Sequence, residues 1–390
     1  MPTTADPLEG LAGIQVVILA RGEGSRLRPF TLTRPKALCP VCNVPVLSRL
    51  LRQLQAHGFT SATVALPLLS DEVWQEARAT FPFDLRVDSR PSGHASKGSI
   101  PAVLDCLDPQ ALRVLVIYGD SLLRADLAGL VELHQTFRQH GGAATLLYHR
   151  PADRFTPERD GRTYHGILSL AADGRVTRFV EKPPVSELHP GFDLANAAVF
   201  VVERSVLEDS ARAGATDFSR HLFEPAVREG RFPIYGAAIG DGYRHDVGSV
   251  ARLLEANAKV LAGEWAAELP GEPVAPGIWQ GRGCSLAEAT LTPPVLLGDE
   301  VKLGPMCRVG PGVVLGNGCE VGSGAVLRNA VLLQDCKVGE RARVESSVLG
   351  ARCQIGSAVR LPPYSALGDF TFVLGDGWPS PPSPSSGGVL

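Results

Sequence analysis

Two periodicities divide the chain. Between residues 14 and 263, short apolar runs alternate with amphipathic segments, the pattern that a sheet covered by helices imposes. The runs predict strands at 14–20, 62–66, 114–118, 143–148, 195–202 and 232–238. The amphipathic stretches predict helices at 46–57, 71–80, 127–140, 218–229 and 250–262. Residues 166–170 and 176–180 flank Ala171-Ala172-Asp173-Gly174-Arg175 and read as a hairpin whose turn is supplied by Asp-Gly.

Past a Pro/Gly-rich connection at 270–283 the period changes. Leu297, Leu303, Val309, Leu315, Val321, Leu327 and Leu333 recur at every sixth residue, and Gly304, Gly310, Gly316 and Gly322 directly follow four of them. One inward aliphatic per six residues, with a small residue at the turn, builds a triangular prism whose coils stack their apolar residues into a column. The phase slips near Val338 and Val344 and resumes at Leu349, Ile355 and Leu361, as one irregular corner would allow. The pattern predicts a left-handed parallel β-helix over 284–367, after a first domain at 13–265. From 368 to 390 Pro, Ser and Gly dominate, and a flexible tail is expected there.

Composition narrows the function classes. Of the 390 residues 44% are hydrophobic, enough for sizeable cores. A formal charge of -3 gives no global attraction to nucleic acid or anionic membranes, so bound phosphates must be met by local basic residues. Residues 1–13 lack the basic and apolar regions of a signal peptide, and no run approaches a membrane span, which points to a cytoplasmic protein. The eight widely spaced cysteines read as reduced thiols, the Cys39-Pro40-Val41-Cys42 pair included.

The chemistry is concentrated where the first strand ends: Leu19-Ala20-Arg21-Gly22-Glu23-Gly24-Ser25-Arg26-Leu27-Arg28-Pro29, continuing to Arg34-Pro35-Lys36. Two glycines past a buried strand let the backbone approach a polyphosphate and aim amides at it. Arg26 offers two parallel hydrogen bonds to phosphate, and Lys36 a compact charge. The segment lacks the third glycine of a dinucleotide fingerprint and the Gly-Lys-Ser/Thr ending of a P-loop.

Together with Tyr118-Gly119-Asp120, Glu181-Lys182-Pro183, Asn196-Ala197-Ala198 and Asp246-Val247-Gly248, the segment resembles the sugar-1-phosphate nucleotidyltransferases, whose signature is G-x-G-T-R-L-x-P-x-T and then P-K. With the β-helix the resemblance spans 14–367. It implies an α/β fold with a Rossmann-like, mainly parallel mixed sheet. It also implies transfer of a nucleotidyl group from an NTP to a sugar 1-phosphate, with pyrophosphate leaving. By the same resemblance Asp120 and Asp246 hold Mg²⁺, while Ala20, Gly22, Gly24 and Gly98 line the nucleotide. Arg26 and Lys36 act on the reacting phosphates, and Gly166, Glu181, Lys182 and Asn196 bind the sugar phosphate. The phosphate nucleophile is ionised at neutral pH, so the chemistry needs alignment and charge compensation rather than a general base. Read singly, a strand-end aspartate is a turn or helix cap and a loop lysine is solvated; their joint order points to a site.

Four positions depart from the family pattern. Arg21 stands in place of Gly or Ala, Ala95-Ser96-Lys97-Gly98-Ser99-Ile100 in place of G-T-A-G-A-L, Ala198 in place of Gly, and Arg244 in place of Trp. They leave base and sugar open. A non-catalytic paralogue that binds nucleotide-sugar is the main alternative, against which the retained Asp120, Asp246, Arg26, Lys36 and Lys182 argue. A hexapeptide acyltransferase would need a histidine base in the coils, and none follows His245. The whole site is thus assigned to the first domain, and the β-helix to structure or to contacts between copies.

Overall fold

A computed structural model describes residues 11, 13–22, 24–66, 75, 78–81, 86–91, 98–151 and 160–375, with the backbone alone for 86–91. The expected helix at 71–80 lies for the most part outside the described residues, as does Lys97. The chain separates into two compact bodies. The first comprises Met1–Gly22 and Leu47–Arg244, the second Glu23–Val46 and His245–Leu390. From residue 23 on, the segment expected to handle phosphate thus groups with the C-terminal half, a division that sequence periodicity does not carry.

The first body holds a nine-stranded mixed sheet. Its strands, numbered in chain order, are β1 (Ile14–Leu19), β2 (Ser61–Leu66), β3 (Arg86–Pro91), β4 (Arg113–Tyr118), β5 (Ala144–His149), β6 (Gly166–Leu170), β7 (Val176–Glu181), β8 (Leu194–Glu203) and β9 (Ile234–Ala238). The order is β7-β6-β8-β4-β1-β2-β3, with β5 beside β8 and β9 beside β5. β1, β2, β3 and β4 are mutually parallel, as are β5 and β9, whereas β8 runs antiparallel to β4, β5 and β6. Val17, Val114, Val116, Leu146 and Phe200 share one core cluster with the covering segments, as the alternating runs predict. The helices along the chain are α1 (Val46–Ala56), α2 (Ser99–Leu104), α3 (Leu127–Arg138), α4 (Arg204–Arg212), α5 (Glu224–Glu229) and, in the second body, α6 (Val250–Leu261). The helix expected at 218–229 begins as a wide turn at Phe218–Phe223 before α5 continues it. The hairpin closes as expected: Gly174 takes the left-handed conformation, and the Asp173 carboxylate accepts from the Arg175 amide.

In the second body, three parallel sheets wind around an apolar interior through 278–373, and the exposed strand Glu272–Ala275 pairs antiparallel with Ile278–Gln280 at their start. Leu297, Leu303, Val309, Leu315, Val321 and Leu327 all point into it, as the sixfold repeat requires. The next member of this inward series is Leu332 rather than the expected Leu333, because Leu332 pairs with Leu315. The step from Leu327 to Leu332 and the step from Val344 to Leu349 are each one residue short. Both fall at the same corner of successive coils, which explains the phase slip. The final rung, Phe372–Val373, pairs with Gln354–Ile355, so the coils run past the boundary expected at 367. Val373 continues the inward repeat six residues after Leu367, and this keeps the segment on the prism.

All eight cysteines are free thiols. Cys319, Cys336 and Cys353 stack on successive coils and donate to the carbonyls of Leu333, Gly350 and Gly368 at 3.0, 3.0 and 3.1 Å. Cys39 is fully buried, and burial pushes its thiol up to about 12, out of reach of redox chemistry at neutral pH. Among the described residues no helix is long and apolar enough to cross a membrane.

Candidate active site

In the first body, chemistry collects at the C-terminal ends of β1 and β4. The two strands are in register to Leu19 and Tyr118, and the Gly119 amide donates to the Leu19 carbonyl at 2.9 Å. A Cβ on Gly119 would lie 2.7 Å from the Ile18 side chain, so only glycine allows the chain to turn this close to β1. That turn delivers Asp120 beside Gly22, where a Cβ would meet the Asp120 carboxylate at 3.8 Å. Ala20 continues β1 by donating to the Ala65 carbonyl at 3.0 Å. Ligands of open α/β sheets sit past such strand ends. Gly98, at φ 125°, packs against the Thr216 carbonyl, which a Cβ would approach to 2.3 Å. Its need for glycine is therefore already met by the protein's own packing.

A second cluster of the same body gathers the residues expected on the sugar side, on and just after β6, β7 and β8. Gly166 and Glu181 pair across β6 and β7, and a Cβ on Gly166 would collide with Glu181 Oε2 at 2.7 Å. Glycine there admits the carboxylate. Burial raises the Glu181 pKa above the usual carboxylate value, and the hydroxyl of Ser219 opposes that shift. Lys182 follows in a left-handed conformation, φ 52°, with its carbonyl accepting from Arg162 at 2.9 Å. Asn196 is buried, and its Oδ1 accepts from the Ala198 amide at 3.0 Å, bracing a bulge in β8 at which Ala198 adopts φ 57°. That φ accounts for a glycine being usual here. Arg244 hydrogen-bonds to His165 Nδ1 at 3.0 Å, and His165 stands edge-on to His149. Burial, then the Arg244 charge, pushes His149 down to about 3. His149 Nε2 and Arg244 Nε are buried and have no hydrogen-bond partner among the described residues.

The second body carries the remaining site residues. Gly24, at φ 59°, is tied back by Thr31, whose hydroxyl donates to the Gly24 carbonyl at 2.8 Å. Arg26 lies in the short turn just after it, and Lys36 opens another at Lys36–Leu38. Lys36 is ion-paired to Asp246 Oδ1, and Arg26 lies 3.7 Å from Asp246 Oδ2. The Lys36 side chain is only 7% exposed and Arg26 is 52% exposed, so one cation is fixed inside and the other faces outward. Arg252 Nε donates to the Asp246 carbonyl at 2.8 Å, and Ser249 caps α6 directly afterwards. A Cβ on Gly248 would lie 2.7 Å from Lys36 Nζ and 2.9 Å from Asp246 Oδ1. Gly248 thus packs against the Lys36–Asp246 pair, a position that reading for charged groups alone passes over; its signal was the Asp-Val-Gly spacing.

Each body thus brings together part of the expected set: Gly22 with Asp120, Gly166 with Glu181, and Arg26 with Lys36 and Asp246. Among the described residues no three His, Cys, Asp or Glu side chains converge as a metal-binding group. Asp120 and Asp246 nevertheless supply hard carboxylate oxygens, and Mg²⁺ accepts a few of these with phosphate and water oxygens completing its shell. The donor chemistry fits.

Comparison with known proteins places the chain in a family. Residues 15–263 match the nucleotidyl transferase family model, and residues 291–374 match the GMPPB C-terminal domain. Among curated relatives, a UTP--glucose-1-phosphate uridylyltransferase of Synechocystis is 28% identical over 280 residues, 69% of each chain. A mannose-1-phosphate guanylyltransferase of Mycobacterium tuberculosis is 26% identical over 315 residues, 75% of this chain and 82% of the relative. A glucose-1-phosphate thymidylyltransferase of Streptomyces antibioticus is 31% identical over 260 residues, 64% and 66% of the two chains. With the fold, the strand-end aspartate and the Lys36–Asp246 pair on one side and a family model spanning most of the chain on the other, the protein belongs to the nucleotidyl transferase family.

Proposed function

We propose that the protein transfers a nucleotidyl group from an NTP to a sugar 1-phosphate, forming an NDP-sugar and releasing pyrophosphate. The observation that carries the reading is the Asp246 carboxylate with Lys36 on one oxygen and Arg26 near the other, two cations gathered around one anion in a phosphate-handling segment. The relatives' names supply the sugar-phosphate chemistry.

A sugar phosphate oxygen attacks the α-phosphorus, and the bond to the bridging oxygen of pyrophosphate breaks. Gly22 and Gly24 offer backbone amides to the triphosphate. Arg26 neutralises the leaving pyrophosphate, and Lys36 takes up charge at the reacting phosphates. Lys182 holds the sugar phosphate, while Gly166, Glu181 and Asn196 meet the sugar hydroxyls and Gly98 the base. Asp120 and Asp246 would hold a Mg²⁺ ion, which when bound supplies charge neutralisation between phosphates. With NTPs as substrates and free thiols throughout, the cytoplasm is the fitting compartment. Exposed Tyr364, Phe370, Phe372 and Leu374 on the last coils support contacts between copies there.

The test is Mg²⁺-dependent pyrophosphate release with four NTPs against glucose-, mannose- and N-acetylglucosamine-1-phosphate. Release that requires one NTP and one sugar phosphate together supports the reading. Nucleotide-sugar binding without any release would favour a regulatory paralogue.

A further inference from the structure

We propose that Asp369, on the last coil of the β-helix, is a positioning residue for Lys36, acting through Arg34. This role deepens the proposed nucleotidyl transfer and rests on it for the part that Lys36 plays in turnover.

Arg34 precedes Lys36 by two residues, and Pro35 between them is extended, at φ -61° and ψ 151°. The Arg34 Nη2 donates to both oxygens of Asp369, at 3.3 and 3.1 Å, and Thr33 Oγ1 donates to Asp369 Oδ2 at 2.8 Å. Asp369 is itself fixed from its own side, because Oδ1 accepts from the Ala351 amide of the preceding coil at 2.8 Å. Both side chains of the ion pair are 8% exposed. Removing the carboxylate would leave a buried guanidinium uncompensated, so the segment would have to move to solvate it.

Two further contacts bracket Lys36. On one side Gly368 packs against Pro29, whose carbonyl a Cβ there would meet at 3.2 Å. On the other, Asn43 Nδ2 donates to the Leu315 carbonyl at 2.8 Å. The β-helix therefore grips the segment before, at and after Arg34, and the enclosed Lys36 ammonium is aimed at Asp246 from a backbone it does not itself hold. This goes against a purely structural β-helix: the C-terminal coils set the geometry of a residue that meets the phosphates.

The test compares wild type with Asp369→Asn and Asp369→Glu, each held well below its melting temperature. Asp369→Asn should lower kcat by about ten- to a hundredfold, the cost of a displacement near 1 Å in a reacting group, with KM for the NTP changed much less. Asp369→Glu, which keeps the charge, should recover part of the loss. In a Lys36→Ala background Asp369→Asn should add little, because both act through one side chain. A readout independent of turnover is the rate at which an amine-reactive reagent modifies Lys36, followed by mass spectrometry with exposed Lys302 as internal control. It should rise in Asp369→Asn while the Lys302 rate stays constant. Unchanged Lys36 labelling in a folded Asp369→Asn, or losses that simply multiply with Lys36→Ala, would overturn the proposal. Inactive wild type with altered labelling would instead count against the functional reading and leave the positioning intact.

Discussion

Lys36 and Asp246 form an ion pair that exists because residue 248 has no side chain. A single added methyl would lie against both partners. Gly248→Ala is therefore expected to lower turnover by roughly tenfold or more, approaching the 10²–10³ lost when one preorganised charge is removed from such a site. The neighbouring Ser249 cap and α6 should survive, so the melting temperature moves little. Steady-state rates alongside a melting curve check this. A Gly248→Ala enzyme with full activity would mean that the pair has no part in turnover.

Asp120→Asn keeps size and most hydrogen bonding and loses the charge that draws a divalent cation toward phosphate. A fall of about a hundredfold or more is expected, with Lys36→Ala comparable. The fold should hold, since asparagine keeps the size of Asp120 and an oxygen that can still accept the 3.4 Å hydrogen bond from the Ser121 hydroxyl. Retention of more than about a third of wild-type activity at saturating Mg²⁺ would reassign Asp120 as a strand-end cap.

His149 links stability to pH. In the unfolded chain its imidazole takes a proton below about 6.5, whereas in the fold it stays neutral down to about 3. Between those values the unfolded state binds more protons, so this contribution to stability is complete above about 6.5 and is lost as pH falls toward 3. His149→Gln removes it. The melting-temperature difference between variant and wild type should shift in the variant's favour from about pH 7.5 to about pH 5. A difference that stays constant over that range would show that His149 titrates alike in both states.

Ala198 is held at φ 57°. An L-residue with a side chain pays about 1–2 kcal/mol there, and glycine returns about 0.4–1 kcal/mol of that through its looser unfolded chain. Ala198→Gly should thus stabilise the protein by about 0.5–1 kcal/mol. Denaturant titration decides the matter, and a destabilised variant would mean that the alanine methyl has a packing role outweighing its backbone strain.

Legibility in the sequence followed the length scale of each interaction. Strands such as Ile14–Leu19 and Arg113–Tyr118 were readable because their cores are local apolar runs, and the β-helix because its repeat is short and strict. The shortened corner before Leu332 blurred the phase, since one missing residue moves an inward side chain by one place. β3, Arg86–Pro91, was missed because Arg-Val-Asp-Ser-Arg-Pro has almost no apolar run. At the site, the charged residues carried a motif. Gly248 stood within the Asp-Val-Gly part of it, but Asp369 carried none, because its role depends on an approach between segments more than 300 residues apart.

The grip on Arg34 has a thermal consequence. A coiled prism stacks one layer on the next, so an interior layer is buttressed on two sides and the outermost one on a single side. Asp369 belongs to that outermost layer, among the described residues, and fraying begins there. Warming should release the Thr33-Arg34 clasp while the sheet of the first body is still intact. Inactivation is then expected to run ahead of loss of helical circular dichroism, by a gap that added coil stability would close.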